Sequence, residues 1–315
     1  MNLTTLVLAS ILATVACHNC HACFDGVCYS KTRIMDEHRF SGQLAIDRTE
    51  NIVYFHYEDS KSTDHTAGFD LDDIKFKVIP NIDFSFARAV DQKTRDVYIG
   101  GAQGIYKYNP IENVTSQFGL FANTIWHMQF KNKIYYTIFK TKGLFTIDNN
   151  TSKAVLLSDY TIDDFIIDHR EDIYFVSQGK IYRLKKGGNS ATLFANDIYS
   201  LAIDKDEVAH FVHSGKRGLY KLDETSDDLI EIGAFASGVP LKSVFDNGNN
   251  LIYHEIITKK LYYLTPNFGR CLVSYKTRRI NKNPWKTFIK SEDNEITSTY
   301  LIIEVLPDDN DRKYE

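Results

Sequence analysis

A phrase of apolar–apolar–Asp, a polar turn and an apolar–aromatic run recurs six times along the chain, at intervals of 36 to 44 residues. The copies are LAIDRTENIVYF (44–55), RAVDQKTRDVYI (88–99), HMQFKNKIYY (127–136), FIIDHREDIYF (165–175), LAIDKDEVAHF (201–211) and SVFDNGNNLIYH (243–254). A near-constant period of this size is the signature of a repeat architecture. Each phrase is two apolar runs around a hairpin turn of Asp, Asn, Lys and Glu. A third run follows, often opened by Gly (GIYKYN at 104–109, GLYKLD at 218–223), and then a fourth (KFKVIP at 75–80, DLIEIGAF at 228–235, and CLVSY at 271–275 in the last repeat). Alternating patterns rich in β-branched and aromatic residues argue strands. Four short antiparallel strands per repeat, six times over, predict an all-β, six-bladed β-propeller.

Five of the six turns carry Asp at one position: Asp47, Asp91, Asp168, Asp204 and Asp246. One Asp per blade, spread around a ring, is expected to cap its own turn rather than to join its copies in a metal site. The third repeat lacks this Asp and has a shorter turn, but its aromatic pair Tyr135–Tyr136 predicts the same strand.

The domain reading is a signal peptide over 1–17, a propeller over 18–275 with an N-terminal closing strand, and a C-terminal extension over 276–315. Residues 1–24 carry no Asp, Glu, Lys or Arg, and the apolar run from Leu6 to Ala16 ends in small residues, as a secretory signal does. That run is too short for a membrane anchor, which needs about 20 apolar residues. The extension contains TYLIIEVL (299–306), expected to dock as an edge strand or cover a face, and ends in a polar segment expected to be disordered. The net charge of −4 gives no basis for nucleic acid or an anionic membrane as partner.

Cysteines 17, 20, 23 and 28 cluster near the start and Cys271 lies near the end. In a secreted chain this favours disulfides over zinc. A Cys28–Cys271 bond would tie the closing strand VCYSKTRIM (27–35) to the last blade and seal the ring. The alternative is a local bond from Cys20 or Cys23 to Cys28. Asn113, Asn149 and Asn150 stand in N-glycosylation sequons in or beside turns.

A propeller offers one evident ligand site, the mouth of its central channel. Counting back from the repeated Asp places polar or small residues toward the axis: Gln43, Asp164, Ser200 and Lys242, with Trp126 or His127 from the third repeat. Phe86 and Arg88 are expected at the mouth of blade two and Tyr199 at that of blade five. Aromatic rings with Arg and Lys suit a flat, anionic ligand. One acid in that ring is too few for a hard-cation site, and no GxSxG or HExxH motif occurs, so no cofactor is expected and the chain reads as a binding protein, not an enzyme.

The string AVDQKTRDVYIGGAQGIYKYN (89–109), with CFDGVCY (23–29), resembles the ommochrome-binding proteins of moth and butterfly haemolymph. The similarity runs from about Cys23 through the sixth repeat. It implies a secreted, insect haemolymph carrier that binds an ommatin pigment without covalent chemistry; separately, the chain is expected to be a monomer. The family supplies no ligand motif that maps onto numbered positions here. The extension from Lys276 and the cysteines at 17 and 20 depart from its pattern. The alternatives are a channel-metal propeller hydrolase or lactonase, and an extracellular protein-interaction propeller.

Overall fold

The computed structural model describes residues 20–35, 38–82, 84–147, 154–213, 215–255, 257–267 and 279–280. The segment read as a signal peptide, Asn149, Asn150, Cys271 and residues 281–315 lie outside them.

The elements are all strands, in chain order β1 (Ala22–Phe24) and β2 (Val27–Ile34), then the blades. Blade one is β3 (Arg39–Asp47), β4 (Ile52–Glu58), β5 (Asp64–Asp70) and β6 (Lys75–Val78). Blade two is β7 (Ala87–Val90), β8 (Val97–Gly101), β9 (Gly104–Asn109) and β10 (Val114–Gly119). Blade three is β11 (Ile125–Lys131), β12 (Lys133–Ile138), β13 (Leu144–Ile147) and β14 (Ala154–Ser158). Blade four is β15 (Asp164–Ile167), β16 (Ile173–Ser177), β17 (Lys180–Leu184) and β18 (Thr192–Asn196). Blade five is β19 (Ile198–Ile203), β20 (Ala209–His213), β21 (Gly218–Asp223) and β22 (Asp228–Phe235). Blade six takes β23 (Pro240–Phe245), β24 (Leu251–Glu255) and β25 (Leu261–Pro266), and β26 (Arg279–Ile280) pairs with β22.

The outermost strand of blade six is β2, paired antiparallel to β25 from Tyr29↔Pro266 to Ile34↔Leu261. It fills the place for which the sequence offered CLVSY. Next to it, β1 pairs with both β2 and β22, so blades five and six fuse into one ten-stranded sheet while the other four blades stand as separate four-stranded sheets. The chain start therefore closes the ring and sews its last two blades together, which protects edges that would otherwise pair with other chains.

Closure is also written in the core. Six buried apolar clusters lie one between each pair of neighbouring blades. Ala45 and Tyr54 of blade one meet Val90, Val97, Ile99 and Tyr108 of blade two. Phe40, Leu44, Val53 and Phe55 of blade one meet Ile252 and Leu261 of blade six. Period-two strands give each blade two apolar faces, and stacking the blades removes both from water.

The disulfide departs from the ring-sealing expectation. Cys28 bonds to Cys23, not to Cys271, because β1 and β2 form a tight hairpin whose register sets Cys23 opposite Cys28 with Cα atoms 4.0 Å apart. Cys20 is disulfide-bonded as well. Closure at β2 thus rests on backbone hydrogen bonds rather than a covalent link from Cys28.

The repeated aspartates cap turns. Asp47 Oδ1 accepts from the Thr49 N–H at 2.9 Å, Asp91 Oδ1 from Lys93 at 2.9 Å, Asp168 Oδ1 from Asp172 at 2.8 Å, Asp204 Oδ1 from Asp206 and Val208 at 2.9 Å each, and Asp246 Oδ1 from Gly248 at 2.8 Å and Asn250 at 2.7 Å. In blade three the turn shrinks to Asn132, held at φ 59°, a conformation Asn tolerates, and no Asp is needed.

Candidate functional site

The innermost strands β3, β7, β11, β15, β19 and β23 surround a cavity of about 70 Å³ on the channel axis. Gln43, Arg88, His127, Asp164 and Lys242 all line it. Ser200 is buried beside it, its Oγ 3.2 Å from Ser243 Oγ. Phe86, Trp126 and Tyr199 do not line the cavity.

These channel residues hold one another. Gln43 Nε2 donates to Met128 O at 2.6 Å, and Gln43 Oε1 accepts from the N–H groups of Met128 at 3.0 Å and Arg88 at 3.2 Å. Lys242 Nζ sits 2.6 Å from Asp164 Oδ2, and His127 Nε2 lies 2.8 Å from Asp164 Oδ1, close but without the angle of a well-formed hydrogen bond. Burial opposes ionisation of Asp164, but His127 and Lys242 outweigh it and hold the carboxyl well below its usual range. Burial, partly countered by Asp164, pushes His127 down.

Arg88 stands apart from the sequence expectation. It is 0% exposed, not at the mouth. Its Nη1 donates to Gln43 O and its Nη2 to Ser85 O at 2.9 Å and Ser85 Oγ at 2.6 Å, so its partners are neutral and lie between blades one and two. Burial pushes its pKa down to about 9. Gly42, at φ +71°, lets the chain pass beside it: a Cβ there would meet Phe86 O at 2.8 Å and Arg88 Nη1 at 3.3 Å.

At the far end of the strands, Arg48 donates to Phe245 O at 3.2 Å and Ile203 O at 3.1 Å, joining blade one to blades six and five. Lys131 of blade three pairs with Glu207 of blade five. The channel is laced across at both ends. Ligand pockets run to about 300 Å³ or more, so this cavity has room for waters and not for a tricyclic pigment.

An apolar surface lies at the mouth instead. Four of the six innermost strands are irregular near their start, and in β11 and β19 the shift falls on Trp126 and Tyr199. Bulges re-aim side chains: here Trp126 is turned outward and is 37% exposed, while His127 beside it is buried. The Trp126 ring lies 5.2 Å from Phe86 and 5.1 Å from Phe139, and Phe84 meets Phe86 edge-on at 4.5 Å. Phe84 and Phe139 are 43% and 40% exposed, and Lys140 Nζ lies 5.1 Å from the Phe139 ring. Phe139 and Lys140 follow β12, at the hairpin to β13. The sequence pointed to Phe86 and Trp126 but not to Phe84, Phe139 or Lys140, because blade register had to bring that hairpin beside the mouth. Tyr199 is half-buried in blade five, and Lys242 half-buried in blade six.

Asn113 is exposed in the β9–β10 turn at φ 56°, its Oδ1 accepting from Tyr108 OH at 3.0 Å. Among the described residues no three His, Cys, Asp or Glu side chains converge as a metal group, and no helix is long and apolar enough to cross a membrane.

Fold and site define a six-bladed propeller with a laced channel and an aromatic mouth. The chain is similar to the ommochrome-binding protein of Manduca sexta, 23% identical over 63% of this chain and 89% of that protein. Among solved structures it is similar to a gluconolactonase of Xanthomonas campestris (TM-score 0.59, 12% identity, 80% of this chain and 96% of that one). It is also similar to a Bacteroides thetaiotaomicron protein of unknown function (TM-score 0.58, 15% identity, 76% and 72%). At these identities the solved structures speak to the fold alone. No family model matches.

Proposed function

We propose that the protein is an extracellular, non-covalent carrier of a flat aromatic anion of the ommochrome type, held on the mouth rather than in the channel. The observation that carries this reading is the half-exposed group of Phe84, Phe86, Trp126 and Phe139 with Lys140 at its edge. Exposed rings already ordered against one another give a planar ligand stacking area at little entropic cost, and an ammonium at the rim suits a carboxylate. The likeness to a pigment-binding relative supports the same class of ligand, and the Cys23–Cys28 disulfide accords with an oxidising compartment.

Isothermal titration calorimetry with a phenoxazinone ommatin tests this. Wild-type protein is expected to bind, and Trp126→Ala to weaken binding about 5- to 150-fold, the range that loss of one aromatic stacking partner spans. A folded wild type that binds no ommatin, or a Trp126→Ala, Phe139→Ala pair that binds as well as wild type, overturns the reading.

A further inference from the structure

Blade one carries a constellation that the carrier reading does not use. Ser41 Oγ lies 2.8 Å from His56 Nδ1, and His56 Nε2 lies 3.2 Å from Asp64 Oδ1, close but without the angle of a well-formed hydrogen bond. The three sit on β3, β4 and β5. Ser41 is directly opposite His56 in the β3–β4 register, and Asp64 is diagonal to His56 across β4–β5. Ser41 is exposed while His56 is buried at 3%. The serine is exposed and the base bonded to it is not.

The tautomer follows from the partners. A carboxylate 3.2 Å from Nε2 favours a proton over a lone pair on that nitrogen, which leaves the Nδ1 lone pair facing the Ser41 hydroxyl. A hydroxyl hydrogen-bonded to an imidazole, with a carboxylate close to the far ring nitrogen, has the order of groups used in nucleophilic acyl transfer. It lies at the same mouth as the aromatic group: the Phe84 ring meets His56 edge-on at 5.2 Å, and Phe84 leads to Phe86 and Trp126.

We infer that Ser41, His56 and Asp64 form a hydrolytic centre for aryl esters, with the aromatic part of the ester resting on the Phe84–Phe86–Trp126 surface. Ser41 Oγ attacks the ester carbonyl and its proton passes to His56 Nδ1. The C–O bond to the leaving phenol or alcohol breaks, and that oxygen takes the proton from His56. Water then attacks the acyl-serine, giving up a proton to His56. Release of the carboxylic acid returns the proton to Ser41 Oγ. The sum is ester plus water to acid plus alcohol. Burial first, then Arg88 and His65, depress His56 to about 3. The imidazole is thus in its basic form at neutral pH, but the imidazolium formed in the attack is disfavoured and turnover is slow. The centre goes beyond the carrier reading while sharing its aromatic surface.

The test is labelling of the full chain with a fluorophosphonate, located by peptide mass spectrometry, together with steady-state hydrolysis of p-nitrophenyl acetate. The adduct is expected on Ser41. Hydrolysis is expected to fall at least 100-fold in Ser41→Ala and in His56→Asn, the scale of a lost nucleophile or general base. Asp64→Asn can donate to His56 Nε2 and so favours the wrong tautomer. It should lower kcat about 10-fold or more with KM unchanged, whereas a purely structural role would move neither. Ommatin binding to Ser41→Ala separates the two readings, since the carrier surface does not include that hydroxyl. No adduct at Ser41, with Ser41→Ala hydrolysing as wild type does, overturns the inference whatever the pigment result.

Discussion

Gln43 in blade one and Met128 in blade three are joined across the channel by two hydrogen bonds, Nε2 to the Met128 carbonyl at 2.6 Å and the Met128 N–H to Oε1 at 3.0 Å. One amide thus ties two blades that are not neighbours, and it also accepts from the backbone of blade two between them. Replacing Gln43 with Ala strands buried backbone groups of Met128 and Arg88. The expected loss is about 2–4 kcal/mol, from two or more buried groups left unpaired, and urea denaturation would measure it.

Arg88 is a structural strut. Because its guanidinium ends on Gln43 O, Ser85 O and Ser85 Oγ, Arg88→Met should cost stability, about 2–3 kcal/mol, with the ommatin affinity of the folded fraction unchanged. Calorimetry at a temperature where both proteins are folded separates the two effects. A folded variant with affinity lowered tenfold would return Arg88 to the ligand site.

Lys242→Met removes the ammonium from Asp164, a carboxylate 5% exposed. Breaking one side of a buried pair costs about 3–5 kcal/mol, whereas removing both charges is often close to neutral. The double variant Lys242→Met, Asp164→Leu is therefore expected to recover most of the loss of the single variant, as read from denaturant midpoints.

Acid should begin to destabilise the protein above the range in which carboxylates titrate. Burial, the largest cause for each, depresses His254 to about 4 and His56 to about 3. The unfolded chain, at about 6.5, binds these protons first. A folded value below the unfolded one means stability is complete above about pH 6.5 and is lost as pH falls toward 4. Each histidine contributes a slope of up to about 1.4 kcal/mol per pH unit. A melting temperature that is flat from pH 8 to 4 would contradict the buried, neutral state of both rings.

The Cys23–Cys28 bond closes only a short hairpin. Cys28→Ser is expected to cost about 2 kcal/mol, against about 4–5 kcal/mol for a link closing more than two hundred residues. Non-reducing peptide mapping should show Cys23 and Cys28 in one linked fragment.

The blade count and strand order were legible because a repeated pattern needs no long-range information: each copy of Asp–turn–aromatic states its own hairpin. The capping role of Asp47 and its copies was legible for the same reason, since each bond spans only two to four residues. The pairing of β2 with β25 could be anticipated from the need to close a ring, and the local Cys23–Cys28 bond was one of the pairings the cysteine spacing offered, but the pairing of β1 with β22 could not be foreseen. It depends on where the chain start lies once six blades have stacked.

The site divides along the same line. The alternation of β3, β15 and β23 placed Gln43, Asp164 and Lys242 toward the axis, because side chains of a strand point by turns to either face. Alternation carries no information about a bulge, so it could not turn Trp126 outward. Nor could it show that the channel narrows to about 70 Å³ or that Arg88 is drawn in between two blades. Ser41, His56 and Asp64 stand 15 and 8 residues apart in the sequence, with nothing between them to mark a site. Register on one sheet brings them together. The sequence by itself determined the architecture, since local periodicity is enough to specify repeating strands. Only the tertiary structure decided which polar residues meet one another and which rings face a ligand, since those depend on contacts between segments that share no local signal.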